Sequence, residues 1–219
     1  MSTTVRRSAG RPSSTDRDTL LDAARGVLRD EGPHALTVRR LTEELGLSRQ
    51  VVYTHFGSIG GLIDALYREG FIALREAELG IADLPKGIDR VVAGCLAYRA
   101  SAQARPELYK LMFERPFRDY TPSKESRTFA IAAFQPLVRA IEGTGRTPEE
   151  AGRLALSVWA VIHGLVHLEL QGYFPRGDAV DERIDEAVRS LLHETTTTTT
   201  TTNTTTKTTR PRRPRGDKA

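Results

Sequence analysis

Apolar residues recur at intervals of three and four along most of this chain, the spacing that places side chains on one face of an α-helix. In the first eighty positions this pattern predicts four helices, each opening at a hydroxyl-bearing residue suited to cap it: Thr15, Thr37, Ser48 and Ser58. The first helix ends at Gly32-Pro33 and the second at Gly46, because glycine accepts the left-handed exit and proline cannot continue a helix. The fourth continues to about residue 78. No stretch here alternates apolar and polar residues as a half-buried strand would.

The same spacing continues through the rest of the chain, interrupted by prolines and glycines. It predicts five further helices: 86–103, 106–113, 123–142, 148–171 and 179–193. The longest nearly apolar run, 154–166, has 13 residues, which is too short to cross a bilayer and is typical of a buried core helix. The predicted fold class is therefore all-α, and no membrane partner is expected.

Composition separates the two ends of the chain from the helical body. The formal charge of the 219 residues is +4, but the last 25 residues alone hold six basic side chains and one acidic side chain. Residues 1–13 are polar and carry three arginines, and we interpret them as a flexible basic arm. Residues 195–219 open with a threonine run that cannot bury enough apolar area to offset the entropy of ordering. We interpret them as a disordered basic tail.

Several classes of protein are excluded by what the sequence lacks. The single cysteine, Cys95, can form neither an internal disulfide nor a cysteine-based zinc site, and the N-terminus has no apolar run typical of a secretory signal. The sequence contains no nucleophile elbow, no phosphate-binding loop and no dinucleotide-binding glycine motif. We therefore expect a cytoplasmic, non-enzymatic protein with no cofactor.

The most informative stretch is 37–56, in which two short predicted helices lie almost end to end. The tight connection forces the second helix across the first, as in a helix-turn-helix. Burying the apolar positions leaves one polar face outward on the second helix, formed by Arg49, Gln50, Tyr53, Thr54 and His55. Such a face can present hydrogen-bonding groups to base edges in a DNA major groove. The alternative at this point is a helical hairpin with a solvated polar face.

Residues 14–74 resemble the TetR family of bacterial transcriptional regulators. The resemblance rests on the Gly-Leu-Ser turn at 46–48, the Tyr-Thr-His-Phe run at 53–56, and the apolar positions that follow at 62, 65 and 66. It implies a three-helix DNA-binding domain in which Thr37 caps the second helix against a phosphate, residues 49–51 face bases and residues 53–55 contact phosphates. The full set of DNA-contacting residues that it implies is Thr37, Arg39, Arg40, Ser48, Arg49, Gln50, Val51, Tyr53, Thr54 and His55.

One departure from the family pattern lies at the start of the fourth helix, where the family usually carries a lysine. The segment Gly57-Ser58-Ile59-Gly60-Gly61 has no lysine, so one expected phosphate contact is missing. Each such contact steepens the fall of the logarithm of DNA affinity with the logarithm of salt concentration by about 0.9. The arginines of the arm are candidates to replace it. Gly60 and Gly61 weaken the first turn of the helix and indicate either a flexing point or a place of close packing.

The string Trp-Ala-Val-Ile-His-Gly at 159–164 resembles the W-x-x-x-H-G signature of one TetR C-terminal subclass. This likeness implies that residues 83–193 form a larger helical domain that binds a small-molecule effector and supplies the dimer interface. Residues suited to line a cavity, and equally suited to an ordinary core, are Cys95, Tyr98, Tyr109, Met112, Phe113, Trp159, His163 and His167. The two histidines are four positions apart, as in some metal sites. No third ligand is identifiable, so a packed histidine pair is favoured over a metal site.

The apolar faces of the last two predicted helices exceed what one small domain needs. A two-fold four-helix contact is therefore expected, with a homodimer interface formed by Leu165, Val180, Ile184, Val188 and Leu191. Together these features predict a ligand-released repressor that binds a pseudo-palindromic operator in double-stranded DNA. The alternative is a helical adaptor or a small-molecule-binding protein without specific DNA readout.

Overall fold

The computed structural model describes residues 14–174 and 178–200, and these residues form an all-helical fold. Its α-helices are α1 (Ser14–Asp30), α2 (Val38–Leu45), α3 (Arg49–Phe56), α4 (Ile59–Leu79), α5 (Ile88–Ala104), α6 (Pro106–Phe113), α7 (Lys124–Glu142), α8 (Pro148–Leu170) and α9 (Asp178–Thr200). A single 3-10 turn, Pro33–Ala35, joins α1 to α2. Helix spacing in the sequence therefore predicted each of these α-helices, and only the end of α9 lies far from its expected position.

Capping side chains set the starts of the helices around the turn between α2 and α3. The Thr37 hydroxyl accepts a hydrogen bond from the Arg40 amide at 3.1 Å, and the Ser58 hydroxyl accepts one from the Gly61 amide at 3.0 Å. Each bond satisfies a donor that the first turn of a helix leaves free. Gly46 ends α2 with a φ of 62°, a left-handed conformation that glycine adopts without steric cost. The chain thus turns sharply enough for α3 to cross α2.

Helix α4 joins the N-terminal helices to the rest of the molecule. The side chains of Leu20, Leu41 and Val52 meet at the centre of α1–α3 and are fully buried. Leu62 and Leu66 of α4 are also fully buried, and α4 packs against α1 and α3. Farther along, α4 packs against α5, α6 and α7. One continuous helix therefore belongs to both hydrophobic cores.

Helix α8 has a buried face and an exposed apolar face. Its 23 residues include an 18-residue window with a mean hydropathy of 1.4, so by length and composition alone it is able to cross a membrane, which the 13-residue run in the sequence did not indicate. The helix packs against α5, α7 and α9 and buries Ala155, Val158 and Val166 completely. It is a core helix in this fold, and it leaves an apolar stripe uncovered.

The ends of the chain fall partly outside the described residues. The predicted flexible arm, 1–13, lies outside them, as does 201–219 of the predicted tail. The disordered basic tail expected from residue 195 stays a prediction; the structure continues α9 through six threonines to Thr200. Threonine lowers helix stability by less than about 0.7 kcal/mol per residue, and extending an existing helix adds one backbone hydrogen bond for each residue fixed.

Candidate functional site

Helix α3 presents a polar surface to solvent. Arg49, Gln50 and Thr54 are exposed, and the Tyr53 side chain is 48% exposed. The Thr54 hydroxyl donates to the Gln50 carbonyl at 2.8 Å, which keeps that side chain close to the helix. The opposite side of α3 carries Val52, which is fully buried against α1 and α4. Burial of one face thus leaves the other free for a partner.

Two residues of the predicted DNA-contacting set are turned partly inward. Val51 is half-buried and packs against the hydrophobic core, so little of its side chain is left to face bases. His55 is half-buried as well, and its Nε2 atom is buried with no hydrogen-bond partner. Ser48 occupies the N-cap position of α3 and is exposed, but its side chain makes no capping bond.

The charged residues of α2 differ in how firmly they are held. Arg39 is exposed and pairs with Glu43 at 2.7 Å on its own helix. Arg40 pairs with Glu31 at 2.6 Å and with Glu44 at 2.7 Å, and its hydrogen bond to Glu31 raises its pKa above the ordinary value. Both sets of ion pairs are solvent-accessible, so exchanging a carboxylate for a phosphate costs little.

One cationic residue near α3 was missed from the sequence. The guanidinium of Arg17, in the second turn of α1, lies 5.3 Å from the centre of the Phe56 ring at the end of α3. This cation–π contact places a positive charge at the C-terminal end of α3. The spacing of apolar residues in α1 indicates this position of Arg17 only weakly, because Arg17 lies at the edge of the apolar face that begins at Leu20.

The two glycines at the start of α4 have different surroundings. A Cβ atom on Gly61 would overlap the Phe56 carbonyl oxygen, which is backbone and cannot rotate away. A Cβ on Gly60 would meet only the Ser58 hydroxyl, at an ordinary contact distance of 3.5 Å. Of the two alternatives that the sequence left open, close packing is the one that explains Gly61.

An aromatic cluster surrounds His163 in the C-terminal helices. The hydroxyls of Tyr98 and Tyr109 lie 3.0 Å and 2.8 Å from His163 Nδ1. The rings of Phe113 and Trp159 lie 4.8 Å and 5.4 Å from the imidazole, centre to centre. Burial lowers the pKa of His163 below its ordinary value, so the ring is neutral at pH 7. The cluster holds α5, α6 and α8 together through a neutral, hydrogen-bonded histidine.

His167 lies beside this cluster and at the surface. Its ring centre is 6.1 Å from that of His163, and its Nδ1 is 3.7 Å from a carboxylate oxygen of Glu114. Within 14–174 and 178–200, no three histidine, cysteine or acidic side chains come together in an arrangement suited to a metal ion.

Two apolar cavities adjoin the aromatic cluster. The first, of about 240 Å³, lies among α4, α5, α7 and α8 and is lined by Cys95, Tyr98 and Trp159 of the predicted set. The second, of about 370 Å³, is lined by Tyr98, Phe113 and Trp159. Neither lining includes His163 or His167. Tyr109 and Met112 line a separate recess of about 20 Å³, too small for any effector.

The lining also contains residues that the sequence did not single out. Glu78, Tyr98, Leu137 and Trp159 line both cavities, and Arg90 lines the first. The Glu78 Oε2 atom is buried without a hydrogen-bond partner, and desolvation raises the pKa of this carboxyl to about 8. The helical spacing could have found Glu78, because it follows the buried Leu74 by four positions on the inward face of α4.

The predicted dimer residues divide into two groups. Val180, Ile184 and Val188 are fully buried inside the subunit, between α9 and the helices α5 and α8, so the prediction that they face a partner is wrong. The apolar face of α9 completes the core of its own chain because α5 and α8 cover it. Leu165 and Leu191 are half-buried and remain partly accessible.

The accessible apolar surface lies on α8 instead. Leu156, Val161 and Leu168 are 57%, 38% and 39% exposed. Ala160 and Gly164, the small residues between them, are exposed and half-buried respectively. These positions form one stripe along the helix, which we call the α8 stripe.

Comparisons with known proteins agree with this architecture. Residues 20–66 match a family model described as bacterial regulatory proteins of the tetR family, and residues 91–191 match one described as a tetracyclin repressor-like C-terminal domain. The chain is 28% identical over 176 residues to an uncharacterized HTH-type transcriptional regulator of Mycobacterium tuberculosis, covering 76% of this chain and 75% of that protein.

Two further relatives are similar over different extents. The HTH-type transcriptional repressor AcnR of Corynebacterium glutamicum is 34% identical over 82 residues, which cover 36% of this chain and 44% of AcnR. A solved structure of a protein with unknown function from Rhodococcus sp. RHA1 superposes with a TM-score of 0.72 at 25% identity, covering 85% of this chain and 98% of that one. With both halves matched in the expected order, the chain belongs to the TetR family of bacterial transcriptional regulators.

Proposed function

We propose that this protein is a repressor that binds a pseudo-palindromic operator as a homodimer and releases it when a small molecule enters the cavities beside Trp159. The observation that carries the proposal is the path of α4, which packs against α3 at its first residues and lines both cavities at Glu78 near its end. AcnR, a relative over 36% of this chain, is named as a repressor. A cytoplasmic location follows from the need to reach DNA.

The DNA-contacting surface is the exposed face of α3 with its flanks. Arg49 and Gln50, at the exposed start of α3, are placed to read base edges, since recognition helices contact bases through their first residues. Tyr53, Thr54 and the α2 residues Thr37, Arg39 and Arg40 are placed to contact phosphates. Arg17 joins them as a further phosphate ligand and compensates for the absence of a lysine at the start of α4.

The α8 stripe is the dimer interface in this proposal. A row of exposed leucine and valine side chains costs free energy in water, about 25 cal/mol for each Å² left uncovered. The small residues Ala160 and Gly164 allow a second helix to approach closely. Two copies of the stripe meeting across a two-fold axis would bury it, with Leu165 and Leu191 at the edge. Two recognition helices would then read half-sites about 34–36 Å apart or a multiple of that distance.

A charge placed in the α8 stripe tests the dimer. We expect Leu168→Glu, in the stripe and outside both cavity linings, to sediment as a monomer at micromolar concentration and to lose operator binding at the same time, because a single recognition helix binds weakly. The control is Ala100→Glu, which adds the same charge at an exposed position of α5. A wild-type chain that sediments as a monomer, or a Leu168→Glu dimer that still binds its operator, would exclude this interface.

Release of DNA requires that the ligand-bound conformation holds the two α3 helices at a different separation. A ligand achieves this only if it binds that conformation more tightly, and a coupling of about 1–3 kcal/mol gives a 5- to 150-fold loss of operator affinity. Besides α4, helix α6 links the two parts, since it packs against α1 and carries Phe113 into the second cavity.

The function as a whole is tested by selecting DNA from a random library with the purified chain and measuring retardation of the selected sequence. Enrichment of an inverted repeat supports the proposal. Enrichment of no sequence supports the alternative of an adaptor or small-molecule-binding protein and contradicts a regulator that acts at an operator.

A further inference from the structure

Glu78 occupies the wall between the two cavities. It lies one turn beyond Leu74 on the inward face of α4 and lines both spaces together with Tyr98, Leu137 and Trp159. The rest of the two linings is predominantly apolar. A carboxyl group therefore lies at the point that any ligand occupying either cavity would contact.

This carboxyl group lacks the partner that a buried charge needs. Its Oε2 atom is buried without a hydrogen bond, and among 14–174 and 178–200 no cationic side chain forms an ion pair with Glu78. Arg90 and Arg139 line the first cavity: a terminal nitrogen of Arg90 donates to the Ala82 carbonyl, and the Arg90 Nε is buried without a hydrogen-bond partner. Among the residues that line the second cavity, Glu78 is the one with a charged side chain. An unpaired buried carboxylate costs several kcal/mol, which explains why the pKa of this group is raised to about 8.

The nearest polar groups do not relieve this cost. Burial is the main cause of the raised pKa values of the Cys95 thiol and the Tyr98 hydroxyl, and the Glu78 charge adds a smaller contribution to each. The Tyr98 hydroxyl lies against His163. The second cavity, whose described lining contains no cationic side chain, therefore has an unused acceptor in Glu78, and a ligand there is the available source of a donor.

The aromatic lining around Glu78 suits a flat, apolar, positively charged ligand. Trp159 and Tyr98 line both cavities, and Phe113 and Phe134 line the second. Aromatic faces attract cations as well as apolar rings. In the second cavity, a ligand carboxylate would bring a second negative charge towards Glu78 with no cationic side chain in the described lining to offset it, and a neutral hydroxyl would give Glu78 a hydrogen bond without the compensating charge.

We propose that the effector of this protein is a lipophilic amine that enters the second cavity, where its ammonium group pairs with the Glu78 carboxylate and its apolar part packs against Trp159 and Tyr98. This inference rests on the proposed function, because it names the chemical class of ligand that enters the cavities. Binding converts an unpaired buried carboxyl into half of an ion pair.

The test compares three probes of one shape with different head groups: 2-(2-naphthyl)ethylamine, 2-(2-naphthyl)ethanol and 2-naphthylacetate. Their affinities are measured by calorimetry at pH 8, close to the pKa of Glu78. The full chain is used as wild type, Glu78→Gln and Glu76→Gln, the last being a matched control at an exposed position of the same helix. A charge-assisted hydrogen bond makes the amine bind about tenfold more tightly than the alcohol, or more.

The expected result is that Glu78→Gln removes this preference for the amine and that Glu76→Gln retains it. Glu78→Gln keeps the carboxyl shape without the buried charge, and its helicity and operator retardation are recorded to show that the fold is intact. Equal or tighter binding of the alcohol or the acid by the wild type, or an amine preference that survives in Glu78→Gln, overturns the amine assignment while leaving a ligand-binding regulator. If none of the three probes binds, the assignment is overturned together with the proposed ligand site.

Discussion

The N-terminal helices and the C-terminal helices use their charged residues in opposite ways. Around α2, charge pairs are exposed, as with Arg39 and Glu43, whose side chains are 73% and 59% accessible. In the C-terminal helices, Arg99 and Glu169 form an ion pair of 2.5 Å with accessibilities of 9% and 1%. The first arrangement leaves charges free to exchange partners with DNA. The second fixes α5 against α8 around the space where a ligand would bind.

Breaking the buried ion pair between Arg99 and Glu169 has the largest expected effect on the free energy of unfolding. We expect Arg99→Met to lower the free energy of unfolding by about 3–5 kcal/mol, because Glu169 is left buried and Asp181 on α9 also loses its partner. Arg153→Met breaks an exposed pair with Glu149 and should cost less than about 1 kcal/mol. Urea denaturation measures both.

The double variant Arg99→Met, Glu169→Met separates lost attraction from the cost of an unpaired charge. It should recover much of the stability lost in the single variant, since two apolar side chains replace the pair. Equal losses for the buried and the exposed arginine would contradict the proposed difference between the two regions.

The pH dependence of stability isolates the carboxyl at the cavities. The Glu78 pKa is about 8 in the folded chain against an ordinary value of 4.5, so between these values the unfolded chain has released a proton that the folded chain retains. The free energy of unfolding therefore falls by up to about 1.4 kcal/mol per pH unit across this interval. Above the folded-state pKa, Glu78 causes no further fall, because both states have lost the proton. Stability that this group contributes at low pH is lost as the pH rises towards 8.

The matched pair Glu78→Gln and Glu76→Gln assigns that slope to its residue. Glu78→Gln should flatten the fall in stability between these pH values, while Glu76→Gln, exposed on the same helix, should leave it unchanged. Thermal unfolding across this range provides the measurement. A slope that persists in Glu78→Gln would show that other groups cause it.

The start of α4 is the place where the two regions are joined. Gly61→Ala should destabilise the fold by about 1–3 kcal/mol, because its Cβ overlaps the Phe56 carbonyl and the backbone must shift. Gly60→Ala meets no such obstacle and should stabilise the helix by up to about 1 kcal/mol. Equal effects of the two substitutions on unfolding temperature would exclude close packing as the reason for Gly61.

The two regions also differ in how far the sequence predicted them. Helix boundaries and the outward face of α3 followed from spacing and capping residues, which are local signals. The partnership of Arg99 with Glu169 joins residues 70 positions apart, and no local pattern indicates it. Val188 is buried because α5 and α8 cover α9. The apolar face of α9 in the sequence did not show whether it packs inside its own subunit or against a second one.

The cavity residues illustrate the same limit. Tyr98, Phe113 and Trp159 were expected on chemical type, and the structure places them at the cavities. The spacing of α4 places Glu78 on the inward face, but the sequence does not show that a cavity lies beside it. Without the cavity, a charged residue at an inward position does not indicate a binding site, and Glu78 was therefore missed. The linings of the two cavities combine residues of five helices, α4 to α8, and no single helix determines them.

The exposed face of α3 is proposed to read DNA sequence, and this is tested by measuring the affinity of Arg49→Ala for the selected operator and for each of its single-base variants. We expect a loss of about 1–3 kcal/mol confined to one position of each half-site, as for an arginine that contacts a guanine. Tyr53→Phe, as the matched control, should weaken binding to all variants equally, as loss of a phosphate contact does. An Arg49→Ala protein that loses affinity equally for all sequences, or loses none, would contradict the account.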